Sequence, residues 1–257
     1  MVQYEKNKTL YLTSLTLLFL LISGSYSAKA QVKTYQVDSF DKVVVSPHIQ
    51  VIFEEGDTEK VIIHDISEPI EKLNVKVSGK KLELYLEGAR TVTKNETEKT
   101  RNYKMKHPIY NGTVVRATVI YKKLDELSLR GEQEFECKSK LKGEKFKLYI
   151  YGESEVYVNE VEVGSFHTTI YGESEIKIKS GSVNTLKITS YGESEVNSLG
   201  VVAGTVKITS YGESEIRIHA VDRLKVTSYG ESRVRYKGNP EIDRGIIIGD
   251  ASIRSID

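Results

Sequence analysis

Five glutamates, Glu153, Glu173, Glu193, Glu213 and Glu231, recur at steps of 20, 20, 20 and 18 residues, and each stands two residues after a tyrosine: Tyr151, Tyr171, Tyr191, Tyr211 and Tyr229. A second carboxylate follows two residues on, at Glu155, Glu175, Glu195 and Glu215, until Arg233 takes its place. Several chemistries suit such a set. Paired carboxylates are what glycoside cleavage uses, and a row of them can hold Ca²⁺. Tyrosine beside carboxylate also makes a binding stripe for something extended and repetitive, a glycan stacking its sugar faces on the rings and donating hydroxyls to the carboxylates, or a surface protein. Catalysis needs two carboxylates whose environments push their pKa values apart, whereas these copies are near-identical. The Gly-Gly-x-Gly-x-Asp pattern of calcium-binding β-rolls is absent. The five histidines (48, 64, 107, 167, 219) are scattered without metal spacing. No Ser-His-Asp or Cys-His constellation stands out, so no cofactor, metal or catalytic residue is assigned. A purely structural alternative stays open. In it the glutamates are a solvated face offset by Lys147, Lys187, Lys207, Lys225, Lys177, Arg217 and Arg235, with tyrosine stacked on itself at a corner.

Those residues sit in a repeat. From glycine to glycine (131, 152, 172, 192, 212, 230, 249) the steps are 21, 20, 20, 20, 18 and 19 residues, the mark of a stacked array. Six, four and two residues before each glycine the chain reads Phe146, Leu148, Ile150; Phe166, Thr168, Ile170; Leu186, Ile188, Ser190; Val206, Ile208, Ser210; Leu224, Val226, Ser228. The alternate positions are polar or tyrosine, which predicts a strand with one buried face. The same parity points the motif serines (154, 174, 194, 214, 232) and the Val or Ile two residues later inward, and both glutamates outward. A 20-residue unit cannot bury its apolar face alone and must stack on its neighbours. Propeller blades need about twice this length, and leucine-rich repeats need a leucine and asparagine pattern that is absent. The expected fold is all-β, a right-handed parallel β-helix of ~20-residue coils with a less regular N-terminal β region. Coils ~4.8 Å apart put the outward residues in ladders, where adjacent like charges repel by about 0.9 kcal/mol even at the dielectric of water.

Residues 1–30 read as a cleaved signal peptide. Lys6 and Lys8 precede an apolar run from Leu10 to Ile22, and Ala28-Lys29-Ala30 supplies the small-x-small site before Gln31. The run is too short for a membrane anchor, and no cysteine follows to carry a lipid. Export to the periplasm, the outside or the cell surface is the expectation. Residues 31–257 read as one domain, irregular over 31–121 and regular over 122–257. In the first part lie the apolar or alternating runs at Val43, Ile49–Phe53 and Lys60–Ile63, one helical turn near Ser67–Lys72, a hairpin around Ser78-Gly79 and a polar insertion loop over 87–112. Lys and Arg total 37 against 36 Asp and Glu, for a formal charge of +1. That balance, with no large basic tract, argues against nucleic acid as a partner. Cys137 is the one cysteine. It can form no internal disulfide and is expected as a packed core residue.

The opening Val37–Val43, the segment Ile49–Gly56, the Gly-x-Ser-x-Val/Ile repeats and the Val234–Pro240 stretch containing Tyr236-Lys237-Gly238-Asn239-Pro240 resemble the putative auto-transporter adhesin, head GIN domain family. The resemblance spans residues 35–257. It implies a right-handed β-helical, secreted envelope protein with an adhesin-like role and no carried-over catalytic residues. Family members usually carry Ser-Gly-Ser-Gly-like turns, where this chain has Tyr-Gly-Glu-Ser-Glu. The sequence reading is therefore a non-enzymatic envelope protein that binds a surface glycan or protein through the Tyr/Glu face. A polysaccharide lyase or hydrolase is the alternative class, and the oligomeric state stays open.

Overall fold

The computed structural model describes residues 32–99 and 103–256. The expected signal peptide lies outside them. Sixteen strands and one 3-10 turn, Ile70–Lys72, make up the secondary structure of the described residues, and the whole reads as a β-solenoid of about 6 turns. The strands are β1 Lys33–Gln36, β2 Lys42–Val45, β3 Ile49–Glu55, β4 Lys60–Ile66, β5 Leu73–Ser78, β6 Lys81–Leu86, β7 Asn95–Lys99, β8 Lys104–Pro108, β9 Val115–Tyr121, β10 Glu126–Gly131, β11 Glu134–Cys137, β12 Leu141–Gly152, β13 Glu155–Tyr171, β14 Ser174–Tyr191, β15 Ser194–Lys237 and β16 Glu241–Ser255. From β12 onward strands bend through corners, so that β15 alone runs for 44 residues.

Parallel register fixes the coil length. Tyr151 pairs Tyr171, Tyr171 pairs Tyr191, and Tyr191 pairs Tyr211. Inside, the pre-glycine positions stack as Leu84, Val45, Leu129, Ile150, Ile170, Ser190 and Ser210 along one wall. Past the corner Val119, Phe53, Cys137, Val158 and Ile178 stack along the next. The side chains named in both columns are buried, as the period-two parity requires. Cys137 is thus one rung of the core between Phe53 and Val158.

The two columns show that the N-terminal region is more regular than its sequence suggests. β2 and β3 form two walls of a coil that stack directly on β10 and β11, and β6 with β9 forms the same two walls beyond them. Space and sequence disagree in order: after β3 the chain leaves the stack, adds the outer coil, and returns at β10. Antiparallel strands then close that end, β4 on β9 with β1 outside it, and β5 on β6. They cover a parallel edge that would otherwise offer unpaired backbone groups to another chain. The β5–β6 turn uses Gly79 and Lys80, both at positive φ (55 and 63), as a two-residue hairpin requires. The polar segment expected as a loop carries the β7–β8 hairpin. It also supports the β2–β3 corner: the ring of His48, a residue at φ 70, reaches Gly112 O at 2.7 Å and Thr93 Oγ1 at 2.6 Å.

Candidate functional site

The glycine column makes the corner that aims the tyrosine and the glutamates. Gly172 has φ +114, and a Cβ placed there would lie 2.3 Å from the carbonyl oxygen of Gly152 in the preceding coil. Positive φ and this close approach both demand glycine. Across the corner Gly172 N–H donates to Tyr191 O and Gly192 N–H to Tyr211 O, each at 2.9 Å. Coils therefore stay in register where the chain turns, and the side chains on either side form straight columns.

All five sequence-predicted tyrosines come together. Their ring centroids step by 5.1, 4.8, 4.8 and 4.8 Å from Tyr151 to Tyr229, with planes within 3 to 4° of parallel. Tyr151, Tyr171, Tyr191 and Tyr211 are 37 to 41% exposed, so each leaves an edge to solvent while its faces are covered by its neighbours, and the expected stacking of sugar faces on these rings finds no open face. Arg130 lies 5.5 Å from the Tyr151 centroid and closes one end of the ladder. At the other end Ile248 stands in register with Tyr229.

Past the corner the two glutamate columns border a trench of about 420 Å³ with the motif serines beneath them. The columns differ in their partners. In the second, Glu175 pairs Lys177 at 2.5 Å, Arg217 reaches Glu195 at 3.2 Å and Glu215 at 2.6 Å, and Arg235 reaches Glu215 at 3.3 Å. Glu155 accepts a hydrogen bond from the Tyr157 hydroxyl at 2.7 Å. In the first column Glu153, Glu173, Glu193, Glu213 and Glu231 are exposed and make no ion pair or side-chain hydrogen bond among the described residues. The expected offset by Lys147, Lys187, Lys207 and Lys225 does not form: Lys147 pairs Glu126, and Lys225 pairs Asp243. Those lysines lie on the far side of the tyrosine ladder. Among the described residues no group of three or more His, Cys, Asp or Glu is disposed to hold a metal ion.

Behind the corner the motif serines are all buried. Ser154 and Ser174 donate to the carbonyls of Gly131 and Gly152 at 2.8 and 2.9 Å, fastening each coil to the one before. Ser232 sits 2.5 Å from Ser210, 2.8 Å from Ser228 and 3.0 Å from Ser214, the hub of a hydroxyl cluster inside the solenoid. Sequence reading turned these serines inward but did not join them; the signal was there in two serine columns of the same parity flanking one glycine.

Fold and surface together define a β-solenoid protein that presents a repeated tyrosine and glutamate face along its axis. Residues 39–240 match the family described as putative auto-transporter adhesin, head GIN domain, and the chain belongs to that family. Solved structures with the same fold include a putative adhesin from Bacteroides fragilis, at TM-score 0.73 and 18% identity over 90% of this chain and 98% of that one. Another is a putative adhesin from Parabacteroides merdae, at TM-score 0.65 and 19% identity with the same coverage of 90% and 98%. No curated protein matches the chain. Among the described residues no helix is long and apolar enough to cross a membrane.

Proposed function

We propose that this is an exported, non-enzymatic envelope protein that captures an extended surface glycan along its Tyr/Glu face. Family membership supports the adhesin-like role. The observation that carries the site is the unpaired first glutamate column beside a register-perfect tyrosine ladder. A row of like charges costs the fold stability, and natural proteins retain such costs where function uses them. Tyrosine edges and carboxylate acceptors recurring at one coil spacing suit a polymer lying along the axis, bound at many weak points at once. The test is a glycan array and an envelope pull-down with the mature protein and with Tyr191→Ala/Tyr211→Ala. Capture that disappears in the variant supports the reading. Equal capture by both proteins removes it.

A further inference from the structure

The strand that leads into each tyrosine carries, on its outer face, an array that the Tyr/Glu face does not use. Parallel register sets Lys147, His167, Lys187 and Lys207 in one column. Hydroxyl columns flank it, Thr185 and Thr205 on one side and Thr189 and Thr209 on the other, with the tyrosine ladder next beyond the latter. Acids close both ends of the row. Glu126 is in register with Lys147 and 3.6 Å from its Nζ, and Asp243 is in register with Lys225 and 3.5 Å from its Nζ. Between them Lys187 and Lys207 are exposed and their ammonium groups make no ion pair or hydrogen bond among the described residues, and the four threonine hydroxyls make no side-chain hydrogen bond there either. Burial and the surrounding Lys145, Lys187, Lys147 and Lys207 hold the His167 imidazole below its ordinary range. Among the described residues no carboxylate pairs with Lys187 or Lys207 in the middle of this cationic row.

We propose that this face binds a linear anionic polysaccharide, carboxylated or sulfated, laid along the solenoid axis. Its acidic groups meet Lys187 and Lys207, and its hydroxyls meet the threonine columns. The proposal rests on the reading of this chain as a glycan-binding protein and adds a second face, on which the glycan taken is an acidic one. The first glutamate column does not oppose it: it lies past the tyrosine ladder and round the glycine corner, and the four residues of strand from Lys187 to Tyr191 alone span roughly 13 Å, beyond a Debye length of about 8 Å. Duplex nucleic acid fits less well, since each strand carries a charge every 3.4 Å against one cation per coil of ~4.8 Å, and its sugar offers few hydroxyls to two threonine columns.

The test measures binding of the whole protein to polygalacturonate, dextran sulfate, neutral dextran and oligo(dT) at low and high salt. The expected result is binding of polygalacturonate or dextran sulfate that weakens with salt, the preferred one of the two assigning carboxylate or sulfate. Lys187→Gln with Lys207→Gln lowers that affinity about tenfold, Lys187→Arg with Lys207→Arg keeps it, and both variants melt no lower than the parent. No binding of either polyanion, unchanged affinity in the glutamine variant, or oligo(dT) bound as tightly as the polysaccharides overturns the proposal. The two readings separate cleanly. If Tyr191→Ala/Tyr211→Ala loses array capture while the glutamine variant still binds the polyanion, the cationic site falls and the tyrosine platform stands; the reverse pattern keeps the cationic site and removes the platform.

Discussion

Tyr171 and Tyr191 lie ring on ring, 4.8 Å between centroids and 3° between planes. Isolated aromatic pairs prefer offset or edge-on geometry to a sandwich, so the backbone register imposes this one, and the rings add only modestly to the stack that positions them. Tyr191→Ala with Tyr211→Ala should therefore cost on the order of 1 kcal/mol and leave circular dichroism unchanged. A collapse of the melting transition would show the ladder to be a structural spine.

The interior is far less forgiving. Ile208 is 1% exposed and in register with Ile188, which is 0% exposed. Ile208→Asp places a carboxylate with no charged partner in that column, and a buried unpaired charge costs several kcal/mol or forces protonation. Proteolysis and circular dichroism should report the loss of several coils, since a solenoid transmits damage between neighbours. A native melt would refute the inward parity.

The serine cluster gives a sharper contrast. Ser232→Ala strips the hub from Ser210, Ser214 and Ser228 and leaves buried hydroxyls short of partners, a loss of about 1–3 kcal/mol. Ser194 is 4% exposed and its hydroxyl has no partner among the described residues. Ser194→Ala removes an unsatisfied group and should be neutral or stabilising. Equal melting points for the two variants would contradict the network.

How much of this was legible follows from the chain's own spacing. Where inward positions recur every 20 residues, as at Ile150, Ile170, Ser190 and Ser210, parity alone fixed which side chains are buried and which form the surface columns. Val45 and Leu129 are stacked neighbours in the same wall, yet 84 residues separate them in sequence. The excursion that builds the outer coil and its antiparallel cap breaks the period, and no local pattern records that the chain returns to the place it left. Ion pairing was hidden for a related reason. Period-two spacing says that Lys187 and Glu193 both face outward, but not that a corner and a tyrosine column stand between them.

Cys137 offers a check on the core that needs no substitution. Burial pushes its thiol up to about 12 from an ordinary 9.0. An acid held neutral by the fold contributes stability that is fully present below the unfolded pKa and is lost as pH rises from about 9 toward 12. At neutral pH a thiol reagent should label the native protein only as fast as the coil opens, and fully in denaturant. Rapid labelling of native protein would place Cys137 at the surface.

The glutamate columns separate a binding face from a solvated one. Glu193 and Glu213 are adjacent in the exposed, unpaired column, so Glu193→Gln with Glu213→Gln relieves repulsion without removing an ion pair. The melting temperature should rise, most at low salt where screening is weakest. Glu195 and Glu215 share Arg217, so the matching Glu195→Gln with Glu215→Gln should leave stability level or lower it. Glycan capture decides what the first column is for. If the column serves binding, the stabilised Glu193→Gln/Glu213→Gln protein captures less glycan than its parent, because neutral amides accept sugar hydroxyls more weakly than carboxylates do. Stabilisation with capture intact would make these glutamates a solvated edge and leave the tyrosines alone to carry recognition.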